Sequence, residues 1–590
     1  MFIAIFVGML SGVIGTGCWL VIQLILNMPG IYGQLGNSWY LVPPALGIAA
    51  AILHTLARSL QSRGVSDRSI HHARLEKRQA LADVFESYHF GIFILHPLNW
   101  LARGTVSLLN AFLGGTFGLE GGVLELTFAT LPLLSRYVRL FIEEKQTFVI
   151  CTIAASVSVA LGAPFSGGLL AIELVHVLEQ RVRAGAVLAA LTAYGTAMLF
   201  QSMILSGLFA DTSIERLNVL GALFAGLRPL NLEIFQWALL SLGALCVGVG
   251  SALMVAVTTR TLDRGTDFFS RFFGSRFQLG MIVTGVLMGV TVWFVPESFV
   301  EPWRAWEELA WLRISSAKAV TVMATEWVLL VLAFSGWGSS GMFSPILLLG
   351  ALLGYGVGNA IGATWTLPLA IAGAASALAA MFRVPIAAAA LVLEVGHDGP
   401  MWWLATLAVL SSTLVCRGLK VKAFHELLLE RTGLRLLGGR AINLLANLKT
   451  DEAMFDDIQT IMDNAGIQEM RDAAAASKHN FLGVVSPDGT YRGLLSLEQL
   501  PGRVRHVLRA DAKPSDILAV ERVVEIRDLI DTFTPTVGPG DSLEKALALL
   551  QDSPCVAVVD ETRKLCGFIF ESAIAGVYKR EIASTVIRTS

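Results

Sequence analysis

Charge is scarce in this chain. Asp, Glu, Lys and Arg make up 15% of its 590 residues, apolar residues make up 54%, and the mean hydropathy is +0.64. A soluble fold of that length needs more charged surface, which argues against a soluble enzyme and for a membrane protein set in a lipid bilayer. Net charge is also lacking, because 44 basic residues nearly cancel 46 acidic ones. No overall field favours nucleic acid as a partner. The six cysteines suggest neither a disulfide framework nor a metal site: Cys18, Cys151, Cys246 and Cys416 lie in apolar runs, and Cys555 and Cys566 lie in strand-like stretches without ligand spacing. Met1 to Leu26 lacks a basic segment and a small-residue cleavage site, so it reads as a first membrane span rather than a signal peptide.

The charges that exist are uneven: 37 of the 90 fall in residues 451–590. A long membrane part is thus joined to a shorter soluble one. Apolar runs recur near 2–26, 38–57, 90–117, 146–161, 186–209, 234–258, 278–295, 317–335, 343–372 and 401–416. Gly162-Ala163-Pro164, Gly341-Met342-Phe343-Ser344-Pro345 and Arg383-Val384-Pro385 interrupt this apolar territory. Unpaired backbone at membrane depth is tolerated only where protein or a water-lined cavity surrounds it, so half-helices are expected to meet inside the bilayer. The loop 58–78 carries Arg58, Arg63, Arg68, Arg74, Lys77 and Arg78 against Asp67 and Glu76, and 417–431 is basic too. Both are expected on the cytoplasmic side of a cell (inner) membrane, with the soluble tail.

The landmarks repeat. Pro164 precedes Glu173 by nine positions and Pro385 precedes Glu394 by nine. Ala-Ala-Ser stands upstream of each proline, at 154–156 and 374–376. Gly118-Leu119-Glu120-Gly121-Gly122 and Gly341 to Pro345 end 42 and 40 residues before the respective prolines. Two halves, about 1–230 and 234–430, share one plan, as in transporters whose interrupted helices build an ion site between repeats.

A helix N-terminus exposes unpaired N–H groups and partial positive charge, which suits an anion that must also leave. Gly118 to Gly122 and Gly338 to Pro345 are Gly-rich entries of this type, one per half. Glu120 sits in the first. It either complements the helix dipole or occupies the anion site as a tethered competitor that leaves when protonated, which would make it a gate. Glu173 and Glu394, being duplicated, read as structural hydrogen-bond acceptors. Glu326 and Lys318, eight residues apart in one apolar run, have the spacing for a buried ion pair.

Gly118-Leu119-Glu120-Gly121-Gly122 resembles Gly-x-Glu-Gly-Pro, Gly162-Ala163-Pro164 with Ile172-Glu173 resembles Asn-Ala-Pro…Ile-Glu, and Gly341 to Pro345 matches Gly-x-Phe-x-Pro. These are motifs of the CLC chloride channels and chloride/proton antiporters, and the likeness runs over about 1–435. It implies an α-helical polytopic fold with an inverted repeat and a homodimer with one pathway per subunit for chloride or a similar small anion. Glu120 would be the gating glutamate, and Met342 and Phe343 would offer backbone N–H groups to the anion beside Gly121. Gly118, Gly122, Gly341, Ser344 and Pro345 would line the pore. No cofactor is required.

The chain also departs from the family pattern. Ser62-Arg63-Gly64-Val65-Ser66 stands where the resemblance expects Gly-Ser-Gly-Ile-Pro, which puts Arg63 at the anion-coordinating serine unless the register slips to Ser62 or Ser66. His425 aligns with the coordinating tyrosine; it would bind an anion in a pH-dependent way or be a surface histidine. Leu174 occupies the position of the internal proton-relay glutamate of many antiporters. Leucine carries no proton, so the expected function is a glutamate-gated channel, with an anion/proton or fluoride/cation exchanger as the alternative.

The tail, 436–590, has its own repeat. Val485 to Leu495 lines up with Val559 to Ile569 at an offset of 74, each a strand, a polar turn and a strand, with helical segments near 467–473 and 543–550. This rhythm resembles paired CBS domains, with modules at about 445–505 and 530–590. Such pairs often bind an adenine nucleotide, but the usual ribose-contacting acid is absent here, so a dimerising, regulatory tail is expected. A further alternative is an intramembrane serine protease built on Gly338-Ser339-Ser340-Gly341 with His176, His397 or His425 as base. It explains neither repeat.

Overall fold

The structure is a computed structural model. It describes residues 1–27, 36–62, 83–85, 87–88, 97–112, 118–130, 142–175, 180–207, 233–273, 276–295, 314–337, 341–396, 399–432, 448–455, 459–477, 481–497, 534–550 and 555–570, with single positions 513, 515, 553, 573, 574 and 577. The chain divides into two compact units, Met1–Thr432 and Gly433–Ser590.

The first unit is helical. Its early elements are α1 (Phe2–Asn27), α2 (Val42–Ser62), α3 (Pro97–Phe112) and α4 (Leu119–Ala129). They are followed by α5 (Ile142–Leu161), α6 (Pro164–Val175) and α7 (Gln180–Gly207). The later elements are α8 (Ile234–Phe273), α9 (Phe277–Phe294), α10 (Ser316–Trp337), α11 (Phe343–Ile361) and α12 (Ala363–Phe382). The unit closes with α13 (Pro385–Gly396), α14 (Gly399–Gly418) and α15 (Phe424–Thr432). Seven of the described helices are long and apolar enough to cross a membrane. Small residues let them approach: α1, α5 and α7 meet through Ala4, Val7, Phe148, Cys151, Ala155, Ala189 and Ala193.

The repeat seen in the sequence is a repeat of elements. Helices α4 to α7 follow one another as α11 to α14 do. Both α6 and α13 have 12 residues, about 18 Å of helix and too little to span ~30 Å of hydrocarbon. Each begins with proline and is preceded by a left-handed residue, Gly162 at φ 67° and Arg383 at φ 58°. That conformation ends the preceding helix, and the proline pre-sets the next. The hydroxyls of Ser156 and Ser376 each donate to the carbonyl three residues upstream, Ile153 and Gly373.

The two short helices cap one another. Glu173 of α6 accepts from the amides of Ile386 (3.1 Å) and Ala387 (2.7 Å) at the start of α13. Glu394 of α13 accepts from the amides of Phe165 and Ser166 (both 2.7 Å) and from the Ser166 hydroxyl (2.6 Å) at the start of α6. A carboxylate at a helix N-terminus satisfies orphan donors and complements the dipole, and here the arrangement is reciprocal. No ion pair joins Glu326 and Lys318. Eight residues are about 12 Å of helix rise, beyond ion-pair reach for side chains that do not lean toward each other.

In the second unit, β1 (Thr460–Met462), β2 (Phe481–Val485) and β3 (Tyr491–Ser496) form one sheet. The other holds β4 (Thr536–Val537), β5 (Val556–Val559) and β6 (Leu565–Ile569). In each sheet the first pair is parallel and the second antiparallel. Helix α16 (Ile467–Ala476) lies between β1 and β2, and α17 (Leu543–Leu549) between β4 and β5. The crossovers are what a parallel pair requires. The Thr562 hydroxyl and the amides of Lys564 and Thr562 hold the Asp560 carboxyl below the usual carboxylate range; Thr490 does the same for Asp488 in the first module.

Candidate functional site

Helices α4 and α11 bring their N-termini together. The Gly118 amide, at the N-cap of α4, donates to the Gly341 carbonyl at 3.1 Å. Glu120 enters from the first turn of α4, 1% exposed. Its Oε1 accepts from the Ser344 amide at 3.0 Å and its Oε2 from the Ser344 hydroxyl at 2.9 Å. A side-chain acid thus occupies the amino end of a helix from the other half. A Cβ at Gly118 would collide with the Glu120 carboxylate in its present position. Gly122 is held against Leu108 of α3 in the same way.

Met342, Phe343, Gly341 and Pro345 are buried around this junction, as is Gly121. Met342 is the N-cap of α11 and uses no side-chain cap, so the first-turn amides of α11 face the carboxylate. Phe343 stacks on Phe382 with ring centroids 4.3 Å apart, Phe382 meets Phe424 edge-on at 5.8 Å, and Phe424 meets Phe334 at 5.0 Å. The ends of α10, α11, α12 and α15 therefore share an aromatic cluster that fixes the α11 tip.

His425 lies one residue past that cluster. It is 1% exposed and packs against the Phe85 ring at 5.6 Å. It is therefore not a surface histidine, and its neighbour Phe424 belongs to the ring cluster through Phe334 and Phe382. Asp83, beside Phe85, is bound by Arg103 of α3 at 2.9 Å, which anchors the stretch that faces His425. Leu174 is buried in α6. Arg63 lies outside the described residues, as do Ser340, His176 and His397. Sequence reasoning treated Ser344 only as part of a motif and passed over Phe334, Phe382 and Phe424. Phe382 borders the break residues Arg383-Val384-Pro385 and Phe424 borders His425, but aromatic side chains in an apolar chain carry no label of their partners.

The family model described as voltage gated chloride channel matches residues 69–417, more than half of the chain. The chain belongs to this family. Arg63 and His425 both lie outside the matched span. A curated family relative, the H(+)/Cl(-) exchange transporter ClcA of Klebsiella pneumoniae subsp. pneumoniae, is 25% identical over 452 residues, covering 73% of this chain and 88% of the relative. The crystal structure of a eukaryotic CLC transporter shares the fold at a TM-score of 0.58 and 14% identity, covering 97% of this chain and 98% of its own. A slow cyanobacterial Cl-/H+ antiporter aligns at a TM-score of 0.54 and 17% identity, over 73% of this chain and 97% of its own. The protein is accordingly an integral membrane protein with the CLC-type helical fold, and the relatives named are transporters rather than enzymes.

Proposed function

We propose that this CLC-family protein moves chloride or a similar small anion across the membrane in exchange for protons. The observation that carries the reading is the hydrogen bonding of Glu120 to the Ser344 amide and hydroxyl at the α11 N-terminus. A free halide needs the same donors, so carboxylate and anion compete for one site. Protonation cancels the charge of Glu120, releases it from the helix end and admits the anion, so one group links proton movement to anion movement. The ClcA relative and the cyanobacterial antiporter support exchange over simple conduction. Met342 and Phe343 supply amides to the anion beside Gly121, with His425 a more remote candidate.

The test is the reversal potential of the reconstituted protein under a pH gradient, with chloride, fluoride and nitrate compared in turn. A potential that shifts with the gradient supports exchange; one fixed by the anion gradient alone rejects it. The second reading is a glutamate-gated channel, favoured by apolar Leu174 beside Glu173, and the latter outcome would establish it.

We read the tail, 436–590, as a CBS pair on the cytoplasmic side, supported by its two equivalent modules. Its proposed role is regulatory and dimerising within a homodimer in the cell membrane, with adenine nucleotide as the candidate ligand. Equilibrium dialysis of the full chain against ATP tests that ligand.

A further inference from the structure

Glu326 stands ten residues from one end of α10 and eleven from the other, in an apolar helix of 22 residues. It is 2% exposed, its Oε1 has no hydrogen-bond partner, and no ion pair reaches it among the described residues. Asp83 Oδ1 and Glu125 Oε2 are unbonded too, but each of those carboxylates is engaged elsewhere, whereas no engagement of Glu326 is found among the described residues. Glu120 is bound by Ser344, Asp83 by Arg103, and Glu173 and Glu394 by helix N-termini. Glu125 is engaged as well.

The helices packed along α10 are α8, α9 and α11, and its C-terminal end also meets α2, α3 and α15. These last three carry His54, Arg103, and His425 with Glu426, and they lie toward Phe334 and Trp337, roughly two to three turns beyond Glu326. Helix α9 carries no titratable side chain. Helix α11 carries Tyr355, whose hydroxyl donates to the Ile314 carbonyl at 2.6 Å. Helix α8 meets α10 where Trp327 Nε1 donates to Thr258 Oγ1 at 2.9 Å. Its Cys246 precedes that point, and Arg260, Asp263, Arg264, Asp267 and Arg271 follow it, Arg260 and Arg264 being exposed. On α10 itself the other charge is Lys318, about 12 Å of rise away. An ionised Glu326 would be a buried charge with no counter-charge among the described residues, a penalty that the protonated form avoids. An apolar side chain would fill the place more cheaply, so a carboxyl there points to a group that takes up and gives back a proton.

We infer that Glu326 is a second proton-binding site of the membrane unit, separate from Glu120, and that it serves the proton limb of the exchange. Its role in transport rests on the exchange reading, whereas its protonation does not.

The test uses the full chain in liposomes, as wild type, E120Q, E326Q and E326L. Infrared hydrogen/deuterium difference spectra at neutral pH are expected to show a protonated carboxyl band that persists in E120Q and disappears in both Glu326 variants. The proton-to-chloride flux ratio of E326Q and E326L is expected to fall by about tenfold while chloride flux persists. The ratio is independent of how much protein folds, and E326Q preserves the shape of the neutral side chain. An unchanged band or a wild-type ratio in both variants would overturn the inference and leave exchange standing. Absence of proton flux in the wild type would overturn the exchange reading and the transport role of Glu326, leaving the band to judge its protonation.

Discussion

Glu120 places both carboxylate oxygens on Ser344, and those two hydrogen bonds are the smallest unit on which the proposed transport depends. E120Q keeps the shape and removes the charge, so its anion flux is expected to stay high and lose its pH dependence, measured as chloride efflux from liposomes over a range of pH. G118A offers a different way to unseat the same group. The added Cβ collides with the carboxylate while the backbone there, φ −76° and ψ 158°, suits alanine. Flux in G118A is expected to rise at high pH toward that of E120Q; unchanged flux would mean that the carboxylate has room to adjust. The glutamate and its Gly-rich entry were legible from the sequence, because small residues at a helix start let an ion approach the backbone and an acid there is conspicuous. Its partner was not, since the contact spans 224 positions of sequence.

Reciprocal capping governs the element scale. Each of Glu173 and Glu394 satisfies two amides of the opposite short helix, and hydrogen bonds to a charged group contribute about 1.5–3 kcal/mol each. E173Q and E394Q are each expected to lower stability by about 1–3 kcal/mol, read from thermal unfolding in detergent. The double variant should cost less than the sum, because both acids hold the same pair of helices. The nine-residue spacing from proline to glutamate was plain in the sequence, but the crossing of each glutamate to the other repeat requires the two halves to fold against one another. In the tail, the turns at Asp488 and Asp560 are held by carboxylates whose folded-state pKa is depressed. Their contribution is present above the unfolded value near ~3.9 and is lost as pH falls through the folded value. Amide protection in the β5–β6 hairpin is expected to decline in that window in the wild type and to lose this dependence in D560N.

For the whole molecule, Glu120, Ser344 and the helices that carry them lie within Met1–Thr432. Removing 433–590 is therefore expected to leave the proton-to-chloride ratio unchanged, while any regulation by nucleotide disappears. A changed ratio would assign the tail a part in coupling. Composition alone settled the membrane class, since a chain so poor in charge cannot cover itself with a water-facing surface. Internal periodicity pointed to the two-half plan and the two-module tail, because duplicated segments keep their breaks and strands at constant spacing. Tertiary structure decided which residues meet: Phe424 joins the ring cluster that reaches the α11 tip through Phe382, Ser344 holds Glu120, and Glu326 is enclosed with its Oε1 unbonded. A linear sequence states which groups are polar and how far apart they lie along the chain. Whether a buried acid is paired depends on side chains delivered by other helices.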